Sequence, residues 1–263
     1  MSNEYLINYY TNYDEDGRLL SRHGQPEFLT TVKYIEKHLF NGAKIIEIGA
    51  ATGRYSHYFA KKGYEVDAVD LVPANIEIFR KNTSPDEKVT ITQGNACDLS
   101  FVQSDKYDIT LLLGPMYHLY TEEDEKKALS EAVRVTKKGG IIFAAYCMND
   151  SGVIQFCFIR DLINNEHYKP LIDPVTFKLK SNPEDLFTMH TKSEIDKLMS
   201  GFNTERLAFV GTDMVTCYPD MKKAVNDMDD KTFEAYMKYH FSICEREDLV
   251  GISNHTLDIF KKL

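Results

Sequence analysis

Long apolar runs are absent from this sequence, and that absence removes one class of protein at once. No stretch of its 263 residues approaches the roughly 18 uninterrupted apolar positions that a membrane-spanning helix needs. The opening residues, MSNEYLINYYTNYDEDGRL, hold neither the basic nor the apolar region of a secretory signal. A chain in the cytoplasm with no membrane partner is therefore expected. Cysteine is sparse: Cys97, Cys147, Cys157, Cys217 and Cys244 are scattered and form no C-x-x-C pair. An odd, dispersed set reads as reduced thiols and excludes a disulfide framework. None of the histidines stands in H-x-x-x-H or Cys/His ligand spacing, so no metal is expected. Basic charge is short as well, with 31 Lys and Arg against 40 Asp and Glu. The pairs Lys61-Lys62, Lys137-Lys138 and Lys222-Lys223 stand apart, whereas a nucleic-acid-binding face concentrates such residues. This balance argues against a nucleic acid partner and for a small-molecule substrate.

What is present is a strand–helix alternation from about Gly42 to Met148. Apolar, β-branched runs fall at Ala43–Ile48, Glu65–Asp70, Val89–Gln93, Tyr107–Leu113 and Gly140–Tyr146. Near-continuous runs of this kind suit strands buried on both faces of a parallel sheet. Helices are predicted between them, over about 54–62, from Pro73 to about Lys81, and from Thr121 to the Lys137-Lys138-Gly139-Gly140 stop. Thr121 and Asp124 have the spacing of a capping box. The pattern predicts a doubly wound α/β sheet. A further helix is expected at about 26–40. Past Met148 the sequence predicts helices at 153–163 and 191–199, strands at 205–210 and 255–261, and a helical insertion at about 218–248. Asn164–Asp185 reads as irregular.

The most informative segment is KIIEIGAATGRYSHYFA, Lys44 to Ala60, where a buried strand runs through Gly49, Ala51 and Gly53 into a helix. Small residues permit a sharp turn and close approach of a ligand to the backbone. Dinucleotide enzymes use similar turns. Here, however, the spacing is G-x-A-x-G, and Glu47 precedes it. That carboxylate suits a cationic ammonium and would repel a pyrophosphate. Asp70 ends the next strand, where a carboxylate can accept from two ribose hydroxyls. QGNACDL, Gln93 to Leu99, offers Asp98 to an adenine amino group, with Ala96 and Cys97 beside the ring. LLLGPMYHL, Leu111 to Leu119, closes the fourth strand.

At these residues the chain resembles the class I S-adenosylmethionine-dependent methyltransferases. EIGAATG is similar to that family's E/D-x-G-x-G-x-G signature and departs from it at Ala51. The resemblance covers Pro26 to Tyr146 and, more loosely, the two C-terminal strands. It implies S-adenosyl-L-methionine as cofactor and S-adenosyl-L-homocysteine as product. Glu47, Gly49, Ala51 and Gly53 would then contact the methionine portion, Asp70 and Leu71 the ribose, Ala96 and Asp98 the adenine, and the Gly114 backbone the amine. The segment Asn8–Thr31 with GPMYHL is also similar to a bacterial subgroup of small-molecule-type methyltransferases. The fold expected is a Rossmann-like, seven-stranded, mostly parallel sheet whose last two strands form an antiparallel edge. Residues 1–25 are read as a lid and 26–263 as the methyltransferase domain, with cap segments at about 151–186 and 212–250.

His118 follows the fourth strand, where it either takes a proton from an O–H or N–H acceptor or holds the loop. Tyr9 and Arg22 are assigned to the cofactor: tyrosine faces attract a sulfonium, and Arg18 or Arg22 can pair with the methionine carboxylate. The competing reading of this segment is a terminal helix packed on the sheet. Rival functions are a nicotinamide-dependent oxidoreductase, an RNA methyltransferase and a catalytically silent S-adenosylmethionine sensor. The oligomeric state, monomer or homodimer, is carried by no motif.

Overall fold

The computed structural model describes residues 3–263. Two N-terminal helices, α1 (Glu4–Asn12) and α2 (Glu15–Arg18), precede α3 (Gln25–Glu36). Then come β1 (Lys44–Ile48), α4 (Arg54–Lys61), β2 (Glu65–Asp70), α5 (Pro73–Asn82), β3 (Val89–Gln93) and β4 (Tyr107–Leu112). The chain continues through α6 (Glu122–Val135), β5 (Thr136–Met148) and α7 (Asn149–Gly152), which passes into a π-helical stretch at Val153–Ile159. The remaining elements are β6 (Met189–His190), α8 (Lys192–Met199), β7 (Thr204–Gly211), α9 (Pro219–Asp227), α10 (Asp230–Ile243) and β8 (His255–Lys262).

The strands lie in the order β3-β2-β1-β4-β5-β8-β7, with the two-residue β6 paired to β5 off this path. β1 to β5 are parallel, and β8 runs antiparallel to both β5 and β7. The doubly wound sheet with an antiparallel edge is thus present. It has eight strands, because the two-residue β6 at Met189–His190, too short to show as an apolar run, adds one just ahead of the predicted 191–199 helix.

Period-two alternation sends neighbouring strand residues to opposite faces. Ile46, Ile48 and Leu112 pack with Ala128, Leu129 and Ala132 of α6 in one core, while Ile45, Ile109 and Leu111 pack with Val32, Ile35 and Phe59 in the other. Helices therefore cover both faces, and the near-continuous apolar strands follow from that. Strand order reverses between β1 and β4, the switch point at which open α/β sheets leave a crevice beyond the strand ends. The helix ends obey local chemistry. Thr121 accepts the Asp124 amide at the start of α6, and Thr191 with Glu194 forms a complete capping box on α8. No described helix is long and apolar enough to cross a membrane.

Candidate functional site

At the switch point a cavity is walled by the ends of β1, β2 and β4 and roofed by α1. Glu47, Gly49, Ala51, Asp70, Leu71, Ala96, Gly114 and His118 all line it. Gly49 has φ +79, and a Cβ there would sit 2.5 Å from Pro115 Cδ. Only glycine passes this point, where the turn after β1 meets the Gly114-Pro115 turn after β4. Gly53 has φ +90 and starts α4, and its Cβ would meet Phe79 at 2.5 Å and His57 Nε2 at 2.6 Å. It does not line the cavity; it sets the direction in which the helix leaves. Ala51 takes the left-handed conformation itself, at φ 46.

Glu47 is 2 % exposed, and one of its oxygens accepts both the amide and the hydroxyl of Ser56 in α4. Burial pushes its carboxyl up to about 8. Asp70 accepts from the Ala51 amide at 2.8 Å, from the Val72 amide at 2.8 Å and from Asn75 Nδ2 at 3.4 Å. Burial raises its pKa despite those donors. Two buried carboxylates thus face one cavity with lone pairs to spare, and their partners among the described residues are amide and hydroxyl donors. An ammonium and a pair of hydroxyls match that donor requirement.

Besides Gly53, three positions differ from their sequence assignments. Asp98 is exposed, pairs with Asn95 in an isolated bridge and accepts from the Ser100 amide at 3.1 Å, so its carboxylate closes a turn away from the cavity. Asn95 and Cys97 line the wall there instead. Arg22 reaches Asp230 at 2.6 Å and lies over the Phe233 ring, turned toward α10. Tyr9 stacks on Tyr13 and meets Phe187 edge-on in a neighbouring chamber, and Tyr10 takes the place expected of it in the cavity. The helical period explains the exchange: adjacent residues on α1 face different ways.

His118 sits between two partners. Its Nδ1–H donates to the Leu186 carbonyl at 2.8 Å, which leaves Nε2 to accept the Tyr10 hydroxyl at 2.9 Å. Burial lowers its pKa to about 4. The imidazole is neutral through the physiological range and joins α1 to the 186 turn.

The neighbouring chamber shares Tyr10, Glu15, Arg18 and Tyr117 with the cavity. Arg18 is held by Glu15 at 2.9 Å and by Glu27 at 2.7 Å, so its guanidinium is committed to two carboxylates. Glu27, Asp213 and His255 bring donor atoms within 4.8 Å of one another. Those atoms are engaged by Arg18, by the 253–255 loop and by each other. Sequence reasoning missed Glu15, Glu27, Asp213 and His255; they lie on α2, α3, the loop after β7 and the start of β8, and no local spacing links them.

A family model described as a methyltransferase domain matches residues 45–140. The chain is 32% identical over 102 residues to a demethylmenaquinone methyltransferase of Clavibacter sepedonicus, covering 38% of this chain and 40% of that protein. It is 23% identical over 229 residues to a glycine/sarcosine N-methyltransferase of Parasynechococcus marenigrum, covering 81% of this chain and 77% of that one. A solved S-adenosylmethionine-dependent methyltransferase from Thermotoga maritima superposes with TM-score 0.59 at 17% identity over 100% of both chains. The chain spans about half or less of the first curated relatives it matches.

Proposed function

The chain belongs to the class I S-adenosylmethionine-dependent methyltransferase family, and we propose that it transfers a methyl group from that cofactor to a small-molecule acceptor. The observation that carries this reading is the pair of buried carboxylates, Glu47 and Asp70, on one cavity at the switch point. Glu47 holds the methionine ammonium and Asp70 the ribose hydroxyls. The wall at Ala96 and Cys97 lies against the adenine, and the Gly114 backbone closes over the amine. Arg54, on the cavity rim with its guanidinium over Phe28, meets the methionine carboxylate in place of Arg22.

When bound, the cofactor supplies an electrophilic methyl on a sulfonium. The protein's part is to orient that methyl, exclude water and manage the acceptor's proton. The α1 segment acts as a lid, contributing Asn3, Leu6 and Tyr10 to the wall. A small acceptor is favoured by the acidic balance of the chain and by a cleft with a side-chain-lined chamber beside it.

Titration calorimetry with S-adenosylhomocysteine and with NADH tests the first half of the reading. The adenosyl ligand is expected to bind and NADH is not. Asp70→Ala is expected to remove binding, since the ribose hydroxyls lose their acceptor and the Ala51 and Val72 amides lose theirs. Transfer of labelled methyl to a metabolite extract, and not to added tRNA, is the expected second result. Formation of S-adenosylhomocysteine separates an enzyme from a silent sensor.

A further inference from the structure

The chamber beside the cofactor cavity has a volume of about 550 Å³, in the range of small-ligand sites. Its inner wall is a row of alternating charges. One Glu15 oxygen accepts from Arg18 Nε at 2.9 Å, and the two terminal Arg18 nitrogens donate to Glu27 at 2.7 and 3.1 Å. His255 Nδ1 lies 3.5 Å from Glu27 and donates to Asp213 at 2.9 Å. The other Asp213 oxygen accepts the Ser253 hydroxyl and the Asn254 and His255 amides, which fixes the end of the row. Burial opposes charge on His255, yet Glu27, Cys147 and Asp213 around it hold its imidazole charged well above the usual histidine range. Three carboxylates then face two cations, and one negative charge is left over.

That excess is free at Glu15. Arg18, Glu27, His255 and Asp213 are satisfied within the row, whereas among the described residues nothing bonds the second Glu15 oxygen. Glu15 also lines both the chamber and the cofactor cavity, so its side chain stands at the junction of the two. Tyr10 and Tyr117 flank the junction with aromatic faces, which favour a cation. The outer rim has the opposite balance, with Arg160 and Lys222 against Asp14, and burial lowers the His23 pKa there. A phenolate or carboxylate nucleophile would meet the excess negative charge at the junction and be repelled.

Resting on the methyl-transfer reading above, we propose that this chamber is the acceptor site and takes a small primary or secondary amine with an anionic group at its far end. Glu15 binds the amine nitrogen and receives its proton; Arg160 and Lys222 face the anionic end. The bound ammonium passes one proton to the free Glu15 oxygen, and the lone pair so released forms the N–CH₃ bond. The methyl–sulfur bond breaks with its electron pair retained on sulfur, giving neutral S-adenosylhomocysteine and a methylated ammonium. The Glu15 proton then returns to solvent through the chamber. Burial raises the Glu15 pKa against the pull of Arg18, which eases the first transfer.

The test uses the full chain and two pools: amino acids with ω-amino acids and simple amines, against phenols, catechols and carboxylic acids. Labelled S-adenosylmethionine is expected to methylate nitrogen in the first pool and nothing in the second. The methylated amine, titrated into the chain saturated with S-adenosylhomocysteine, is expected to give binding heat that Glu15→Gln abolishes. The same variant lowers transfer by about 100-fold, a typical general-base contribution, while S-adenosylhomocysteine still binds. Arg160→Glu, on the exposed rim, shifts preference toward amines lacking the anionic group. A chain that binds S-adenosylhomocysteine but methylates only phenols, or no amine, overturns the proposal and leaves the cofactor reading standing; so does full transfer by Glu15→Gln. Failure of the wild-type chain to bind S-adenosylhomocysteine removes the methyltransferase reading itself.

Discussion

Glu47 is buried and acidic, and in the free chain its hydrogen bonds among the described residues come from Ser56. With its folded pKa at about 8 against an unfolded value of 4.5, the native state binds the extra proton between those pH values. Stability of the free chain therefore falls as pH rises from about 4.5 through 8, since native Glu47 must either keep that proton or carry a buried charge. Glu47→Gln removes this loss. We expect the variant's melting temperature to decline less than the wild type's between pH 5 and 8.5, by about 2–4 °C for each kcal/mol recovered. The same substitution weakens S-adenosylhomocysteine binding, because the ammonium loses its partner. Melting curves across pH, with and without that ligand, check both halves. A variant with the wild-type pH profile would show that Glu47 does not carry the charge assigned to it.

Turns and strands were legible because their causes are local. Gly49, Gly53 and the apolar runs around them announce a strand, a tight turn and a helix by composition alone, and the structure has each. Gly53 makes the point quantitatively. Any side chain there must adopt φ +90 and enter space held by Phe79 and His57. Gly53→Ala is expected to cost about 1–3 kcal/mol, typical of overpacking, read as a lower denaturation midpoint in urea with unchanged slope. Asp98 was misread for the complementary reason. A carboxylate after a strand looks the same in sequence whether it faces a ligand or closes a turn, and only the Asn95–Asp98 bridge and the Ser100 amide decide. The row from Glu15 to Asp213 lay beyond any such reading. Its members meet only because β8 lies antiparallel beside both β5 and β7 and the N-terminal helices cross their ends, a tertiary outcome that no window of sequence encodes.

Across the molecule, the element that covers the cofactor cavity is a lightly buried one. α1 has no buried residue. Among its ties to the rest of the chain are Tyr10 to His118, Tyr5 to Glu184 and the ring contact of Tyr9 on Phe187. An element with no buried residue opens at smaller free-energy cost than a core element, and opening admits a ligand to a cavity that Leu6 and Tyr10 otherwise wall. His118 is then better placed to fasten the lid than to remove a proton: with a pKa near 4 and Nε2 already accepting from Tyr10, it has little basicity to lend at neutral pH. Hydrogen exchange distinguishes the two roles. A fastening role predicts that S-adenosylhomocysteine slows exchange across Glu4–Asn12, and that His118→Ala speeds it in the free chain by about tenfold, the worth of one buried hydrogen bond. Amides of β1 and β4 should exchange as before. A base role predicts unchanged α1 exchange and a turnover that falls through the histidine range as pH is lowered. His118 at a pKa near 4 would not titrate there, so that pattern would return the histidine to the chemistry and leave α1 without its latch.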